Sequence, residues 1–205
     1  MTVCVAVKWE NLIAIAADQF VDFSNKSYTS SNLAINKIKG RGNVRIASCG
    51  YAIYAQMMEK YLAKSNSDPV FRNADDVFEF FYAFTRDTKT RYHLNGKTND
   101  GPFSTLGNEF LVVSPTGIYG VSTDLCVHSF DKFHAIGAGE EVAIGAAFAL
   151  RETLEKTGKI SVDDHAVHSA EYIATFAVKA AAFHNKQCGF GIDSDTIAYT
   201  GPRPQ

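Results

Sequence analysis

Hydrophobic and polar positions divide the chain into blocks of two periods. Two apolar runs open it, Thr2–Val7 and Leu12–Ala17, on either side of the polar break Lys8-Trp9-Glu10-Asn11. Each has strand length and is rich in β-branched or small side chains, which predicts a hairpin. Neither run alternates, and continuous apolar strands are those covered on both faces. Polar Gln19–Asn32 reads as a loop or a ribbon outside the core. Apolar character returns over Leu33–Ile38, Gly40-Arg41-Gly42-Asn43 reads as a turn, and Val44–Cys49 as a strand, so Leu33–Cys49 predicts a second hairpin.

The period then lengthens. Over Tyr51–Ser65, residues Ile53, Met57, Tyr61 and Leu62 recur at helical spacing. Asp68-Pro69 breaks the chain, and Asn73 can cap a second helix over Ala74–Tyr92 with Val77, Phe80, Phe81 and Phe84 on one stripe. Asn95–Gly107 consists of turn residues. Four short strands follow, Glu109–Ser114, Ile118–Val121, Cys126–Phe130 and Phe133–Ile136. Gly137-Ala138-Gly139 leads into a third helix over Glu140–Thr157, its core stripe Ala143, Ala146, Ala147, Leu150 and Leu154. Ser161-Val162-Asp163-Asp164 has the form of an acidic capping box, predicting a fourth helix to Phe183 with a flat face of Val167, Ala170, Ala174, Ala177 and Ala181. Gln187–Ile192 and Thr196–Tyr199 read as closing strands, and Gly201–Gln205 as a tail.

Helix pairs set between blocks of hairpins predict stacked sheets with helices outside, an α+β arrangement. At 205 residues the chain is most simply one domain, 1–205. A hydrophobic content of 46% with 20% charged residues suits a globular protein. The formal charge of −2, with no basic stripe, gives no reason to expect nucleic acid or an anionic membrane as partner. No apolar stretch reaches the roughly 18 residues of a membrane span, and Lys8, Glu10 and Asn11 interrupt any signal-peptide core. Cys4, Cys49, Cys126 and Cys188 lie far apart, without a CxxC pair. A reducing cytoplasm is the compartment these features predict.

Chemistry enters at the ends of the first hairpin. The end of its second strand returns beside the start of the first, which brings Asp18 to Thr2. Thr2 becomes the first residue if Met1 is removed, and a small second residue permits that trimming. A threonine with a free α-amine is an activated nucleophile, because the amine serves as base for the hydroxyl. Lys37 stands inside an apolar run, where lysine is rarely buried unless paired. Gly50 precedes the first helix, a position that a backbone requirement alone also explains.

Taken together these features resemble the proteasome β-type subunits and HslV-type peptidases of the N-terminal-nucleophile hydrolases, and within them the bacterial β-proteasome homologues. The residues that carry the resemblance are Thr2 behind Met1, the hairpin ending Ala17-Asp18, Asn36-Lys37-Ile38, Ser48-Cys49-Gly50 and Ile136-Gly137-Ala138-Gly139, in order across essentially the whole chain. It implies a four-layer αββα sandwich assembled into a homo-oligomeric double ring of 12 or 14 subunits, with 14 the nearer match. It also implies hydrolysis of peptides or unfolded protein without metal or organic cofactor. The implied roles are nucleophile for Thr2, lysine positioning for Asp18, activation of the hydroxyl for Lys37 and oxyanion donation for the Gly50 amide. Ser48 and Ala52 match positions that shape the substrate pocket. The chain carries no GxxxxGK[ST] loop, so any ATP-driven unfolding would come from a separate ATPase partner. The flat alanine face of the fourth helix and the phenylalanines of the second are expected ring contacts.

Two positions depart from that pattern. Ala138 stands where a serine is usual, and Asn185 where an aspartate is frequent. They open an alternative, a catalytically silent ring scaffold that retains Met1. A free amidase of the same superfamily is a second rival. Other constellations carry less. The glycines at 137 and 139 do not make a dinucleotide loop, since Val142 fills the third glycine position. His165 and His168, three apart on the predicted helix, lack a third metal ligand at suitable spacing.

Overall fold

The computed structural model describes residues 2–23, 26–28, 36–92, 107–158, 160–162, 165–167, 169–189 and 191–201. Two sheets form its centre. The first has the order β10-β1-β2-β13, built from β1 (Val3–Trp9), β2 (Leu12–Asp18), β10 (Phe133–Gly137) and β13 (Ile192–Ala198). The second runs β5-β6-β7-β8-β9, from β5 (Ile38–Arg41), β6 (Val44–Cys49), β7 (Glu109–Ser114), β8 (Gly117–Val121) and β9 (Val127–Phe130). Every pairing in both sheets is antiparallel. The helices are α1 (Ile53–Lys64), α2 (Ala74–Tyr92), α3 (Glu140–Thr157) and α4 (Ala170–His184). Two short hairpins complete the described chain, β3 (Val21–Phe23) with β4 (Lys26–Tyr28), and β11 (Ile160–Val162) with β12 (His165–Val167).

Three packed interfaces turn these elements into four layers. On β1, Val3, Val5 and Val7 pack with the alanines of α3 and α4. The intervening Cys4 and Ala6 pack with Ala47, Cys49, Leu111 and Val113 of the second sheet. The far face of that sheet, through Ile46, Phe110 and Val112, packs with Met58, Phe81 and Phe84 of α1 and α2. Successive side chains point to opposite faces of a strand, so β1 and β2 are buried on both, as their unbroken apolar runs predict. The result is the α+β, four-layer αββα sandwich.

Several expectations need correction. The fourth helix begins at Ala170, not Ser161, and Ser169 is its cap, accepting from the Tyr172 amide at 3.0 Å. The capping-box residues Ser161 and Val162 lie in β11, so His165, in β12, is not on a helix. Position 168 is outside the described residues. The alanine face of α4 is not available for ring contacts: Ala170, Ala174, Ala177 and Ala181 are buried against β1 and β2 within the chain. On α2, Phe81 and Phe84 are likewise core, and the exposed aromatics are Phe78 and Tyr82. The Gln19–Asn32 segment contains the β3–β4 hairpin. The second hairpin starts at Ile38, with its turn at Gly42-Asn43 and Gly40 and Arg41 paired in β5. Among the described residues the closing strand is a single one, β13, and residues 187 and 188 precede it as turn and bend. Positions 33–35, 95–106 and 202–205, read as strand, loop and tail, lie outside the described residues.

Candidate active site

Asp18 ends β2 opposite Ile192 of β13, while the preceding Ala17 pairs with Cys4 of β1. Its carboxylate is therefore held where three strands meet, fully buried at 0% exposure. An ionised carboxylate in such a place requires donors on its lone pairs. It has five. Oδ1 accepts from the Thr2 hydroxyl, the Val3 amide and Lys37 Nζ, each at 2.9 Å. Oδ2 accepts from the Gly189 amide at 3.0 Å and the Phe20 amide at 3.3 Å. Thr2 is 4% exposed and Lys37 6%. The Lys37–Asp18 ion pair is thus buried, a class that is stabilising only when the remaining valences are satisfied.

Hydroxyl, carboxylate and ammonium converge on one oxygen atom. The carboxylate oxygen accepts a hydrogen bond from the hydroxyl, and the lysine ammonium on the same oxygen sets a fixed positive charge beside them. The Thr2 backbone is fixed separately, its carbonyl accepting from the Ala138 amide at 2.9 Å. The residue before Ala138 must be glycine. Gly137 has φ of +97°, and a Cβ there would lie 2.2 Å from the Thr2 carbonyl oxygen. Asn185 packs against the same turn, its Nδ2 donating to the Ala138 carbonyl at 2.6 Å and its Oδ1 accepting from the Gln187 amide at 2.9 Å. No side-chain hydroxyl is present at position 138.

Gly50 leaves the end of β6 with φ of +125° and is exposed. Ser48 and Ala52 flank it. Ser48 is half-buried on the face of β6 that Val44 and Ile46 turn towards α1 and α2, and Ala52 is exposed at the cap of α1. Cys49, on the opposite face, hydrogen-bonds Cys4 across the sheets at 3.6 Å. Burial, reinforced by that hydrogen bond, pushes the Cys49 thiol well up. Burial also lifts Cys188 to about 11, so neither thiol ionises near neutrality. Among the described residues no group of three or more His, Cys, Asp or Glu is placed to hold a metal, and no helix is long and apolar enough to cross a membrane.

Known structures with this architecture carry a name for it. Thiobacillus denitrificans BPH superposes with a TM-score of 0.83 at 24% identity, covering 97% of this chain and 99% of that one. The fold is of the proteasome β/HslV type. The same BPH in complex with epoxomicin gives 0.83 at 24% identity over 97% of this chain and 100% of that one. Eukaryotic HslV from Trypanosoma brucei gives 0.61 at 20% identity, again over 97% and 100%. No protein-family profile matches the chain, and no curated protein does. At these identities the likeness to proteasome β/HslV-type structures is one of fold.

The hairpin brought Asp18 to Thr2 in the sequence, and the resemblance added Lys37; the structure brings all three together. The sequence reading did not find the Phe20 and Gly189 amides. For Gly189 one signal existed in hindsight. A Cβ there would sit 2.4 Å from that of Phe20, so glycine admits the close approach that delivers its amide to Asp18.

Proposed function

We propose that residues 1–205 form one subunit of a self-compartmentalised threonine peptidase, with Thr2 as nucleophile once the Met1–Thr2 bond has been cut. The observation that carries this reading is the convergence of Thr2 Oγ1 and Lys37 Nζ on Asp18 Oδ1, both at 2.9 Å. In the proposed cycle Thr2 Oγ1 attacks the peptide carbonyl carbon while its proton passes to the freed α-amine. The Gly50 amide donates to the developing oxyanion, a contact of the kind typically worth about 3–4 kcal/mol in barrier. The ammonium then protonates the departing amine, the C–N bond breaks, and an ester remains on Thr2. Water, deprotonated by the same amine, hydrolyses that ester and restores the hydroxyl. Lys37 favours the alkoxide by its charge, and Asp18 fixes the lysine. Ser48 and Ala52, both small, leave room for a bulky substrate side chain. The resemblance further supports assembly into a homo-oligomeric double ring in the cytoplasm, served where needed by a separate unfoldase.

Intact mass tests the proposal directly. Purified protein is weighed before and after exposure to an epoxyketone such as epoxomicin or to a threonine-directed β-lactone. Loss of the methionine mass and a single adduct that disappears in Thr2→Ala is the expected result. A chain that keeps Met1 and takes no adduct overturns it. One observation favours the alternative, a silent ring scaffold: the turn facing Thr2 carries Ala138, so the hydroxyl that the resemblance leads one to expect is missing, and Asn185, at the end of α4, is engaged with backbone. On that reading Thr2→Ala changes nothing.

A further inference from the structure

The ladder between β6 and β7 ends at the pair Cys49↔Glu109. One step further, a side chain takes over the ladder's work. Asn108, 1% exposed, accepts from the Tyr51 amide through Oδ1 at 2.8 Å and donates through Nδ2 to the Tyr51 carbonyl at 3.2 Å. Both ends of its amide are used, as a backbone partner's would be, although the two residues lie 57 apart in sequence. Gly50 is consequently caught between two anchors, Cys49 in the ladder and Tyr51 in the clamp. The fit is close. A Cβ on Gly50 would stand 2.5 Å from Asn108 Oδ1 and 2.8 Å from the Gly107 carbonyl oxygen.

An oxyanion donor is effective because its direction is fixed before charge develops. We infer that Asn108 is the positioning residue of the Gly50 amide: it lets the backbone leave the sheet at φ of +125° while keeping that N–H aimed. The inference rests on the proposed attack by Thr2. Asn108 itself touches no reacting atom.

The test compares wild type, Asn108→Ala and Asn108→Asp as assembled proteins of equal native mass, using a fluorogenic peptide. Asn108→Ala is expected to lower kcat by about 10- to 100-fold, somewhat less than outright removal of an oxyanion donor, with KM changed less than about threefold. Asn108→Asp keeps the size and the acceptor, but only its protonated form can also donate to the Tyr51 carbonyl. Its kcat relative to wild type should therefore rise as pH is lowered from 8 to 6, burial having raised the new carboxyl's pKa. That rescue is a readout that a merely structural role would not move. Should Asn108→Ala fail to assemble, the pH profile of the isosteric variant decides. A kcat within about twofold of wild type for Asn108→Ala, or a flat pH ratio for Asn108→Asp, overturns the positioning role. A wild type inert to peptide, with Met1 retained by mass, overturns the peptidase reading and this inference with it. Loss confined to the variants overturns neither.

Discussion

Against β1 and β2, helices α3 and α4 lay down alanines: Ala143, Ala147, Ala170, Ala174, Ala177 and Ala181 meet Val3, Val5, Ala14 and Ala16. Against β6 and β7, α1 and α2 lay down Tyr54, Met57, Met58, Phe81 and Phe84, which meet Ile46, Phe110 and Val112. Small side chains on both partners bring helix and sheet axes close and leave little rotamer freedom. Large ones give more buried area per contact and edge-to-face ring packing, as between Phe84 and Phe110 at 6.0 Å and 86°. The first half needs closeness, because the turn before α3 and the turn after α4 both deliver backbone groups to the neighbourhood of Thr2 and Asp18. The second half packs bulk on bulk, on the face of its sheet turned away from the first.

The largest expected effect breaks the centre of the small-residue half. Lys37→Met leaves Asp18 buried without its cation, which should cost about 3–5 kcal/mol of stability. On the proposed mechanism it should also cost at least about 10³-fold in kcat. Denaturant unfolding and peptide turnover read the two losses, and retained activity would remove Lys37 from the mechanism. Next, Phe81→Ala in the aromatic half should destabilise by about 3–5 kcal/mol yet leave the epoxyketone adduct per folded chain unchanged. An adduct lost in step with Phe81 would show that the halves are not separable. Smaller again is Gly139→Ala. Its Cβ would meet that of Ala181 at 2.8 Å and Cys188 Sγ at 3.0 Å. Overpacking of this kind costs about 1–3 kcal/mol, and Ala181→Gly in the same chain should recover a measurable share of the melting temperature.

The smallest effect sits where the halves meet. His134 of the first sheet stacks on Phe130 of the second, centroids 3.6 Å apart and planes within 6°. Burial, and to a lesser extent the charge of His128, hold His134 down at about 4 instead of 6.5. Between these values the unfolded chain takes a proton that the folded chain refuses, so stability falls as pH drops below 6.5 and levels off below 4. His134→Phe keeps the stack and should flatten that slope, seen as a smaller loss of melting temperature between neutral and mildly acidic buffer.

The layers were legible in the sequence because burial on both faces writes itself as unbroken apolar strands. Asp18 was legible from the hairpin that returns it to Thr2, and Lys37 stood out as a charge inside an apolar run, but their pairing came from the resemblance alone. The start of α4 was not. Ser161-Val162-Asp163-Asp164 has the residues of a cap, but Ile160, Val162 and Val167 are β-formers, and the hairpin takes them. The flat alanine face was read as a surface between subunits, since periodicity gives a stripe without saying what covers it. Asn108 and Gly189 escaped because their roles lie in backbone-directed hydrogen bonds across distant segments, which no local spacing encodes.

The donors around Asp18 come from positions 2, 3, 20, 37 and 189. Synthesis delivers them in that order. Positions 2, 18 and 37 leave the ribosome early, yet the last of these donors arrives only with residue 189. Until β13 pairs along β2, one side of the carboxylate stays open to water, which screens the lysine's charge and slackens its hold. Closure of the cluster is thereby tied to the arrival of Gly189: a chain cut short of it keeps Thr2, Asp18 and Lys37 but lacks one of the two amides on Asp18 Oδ2.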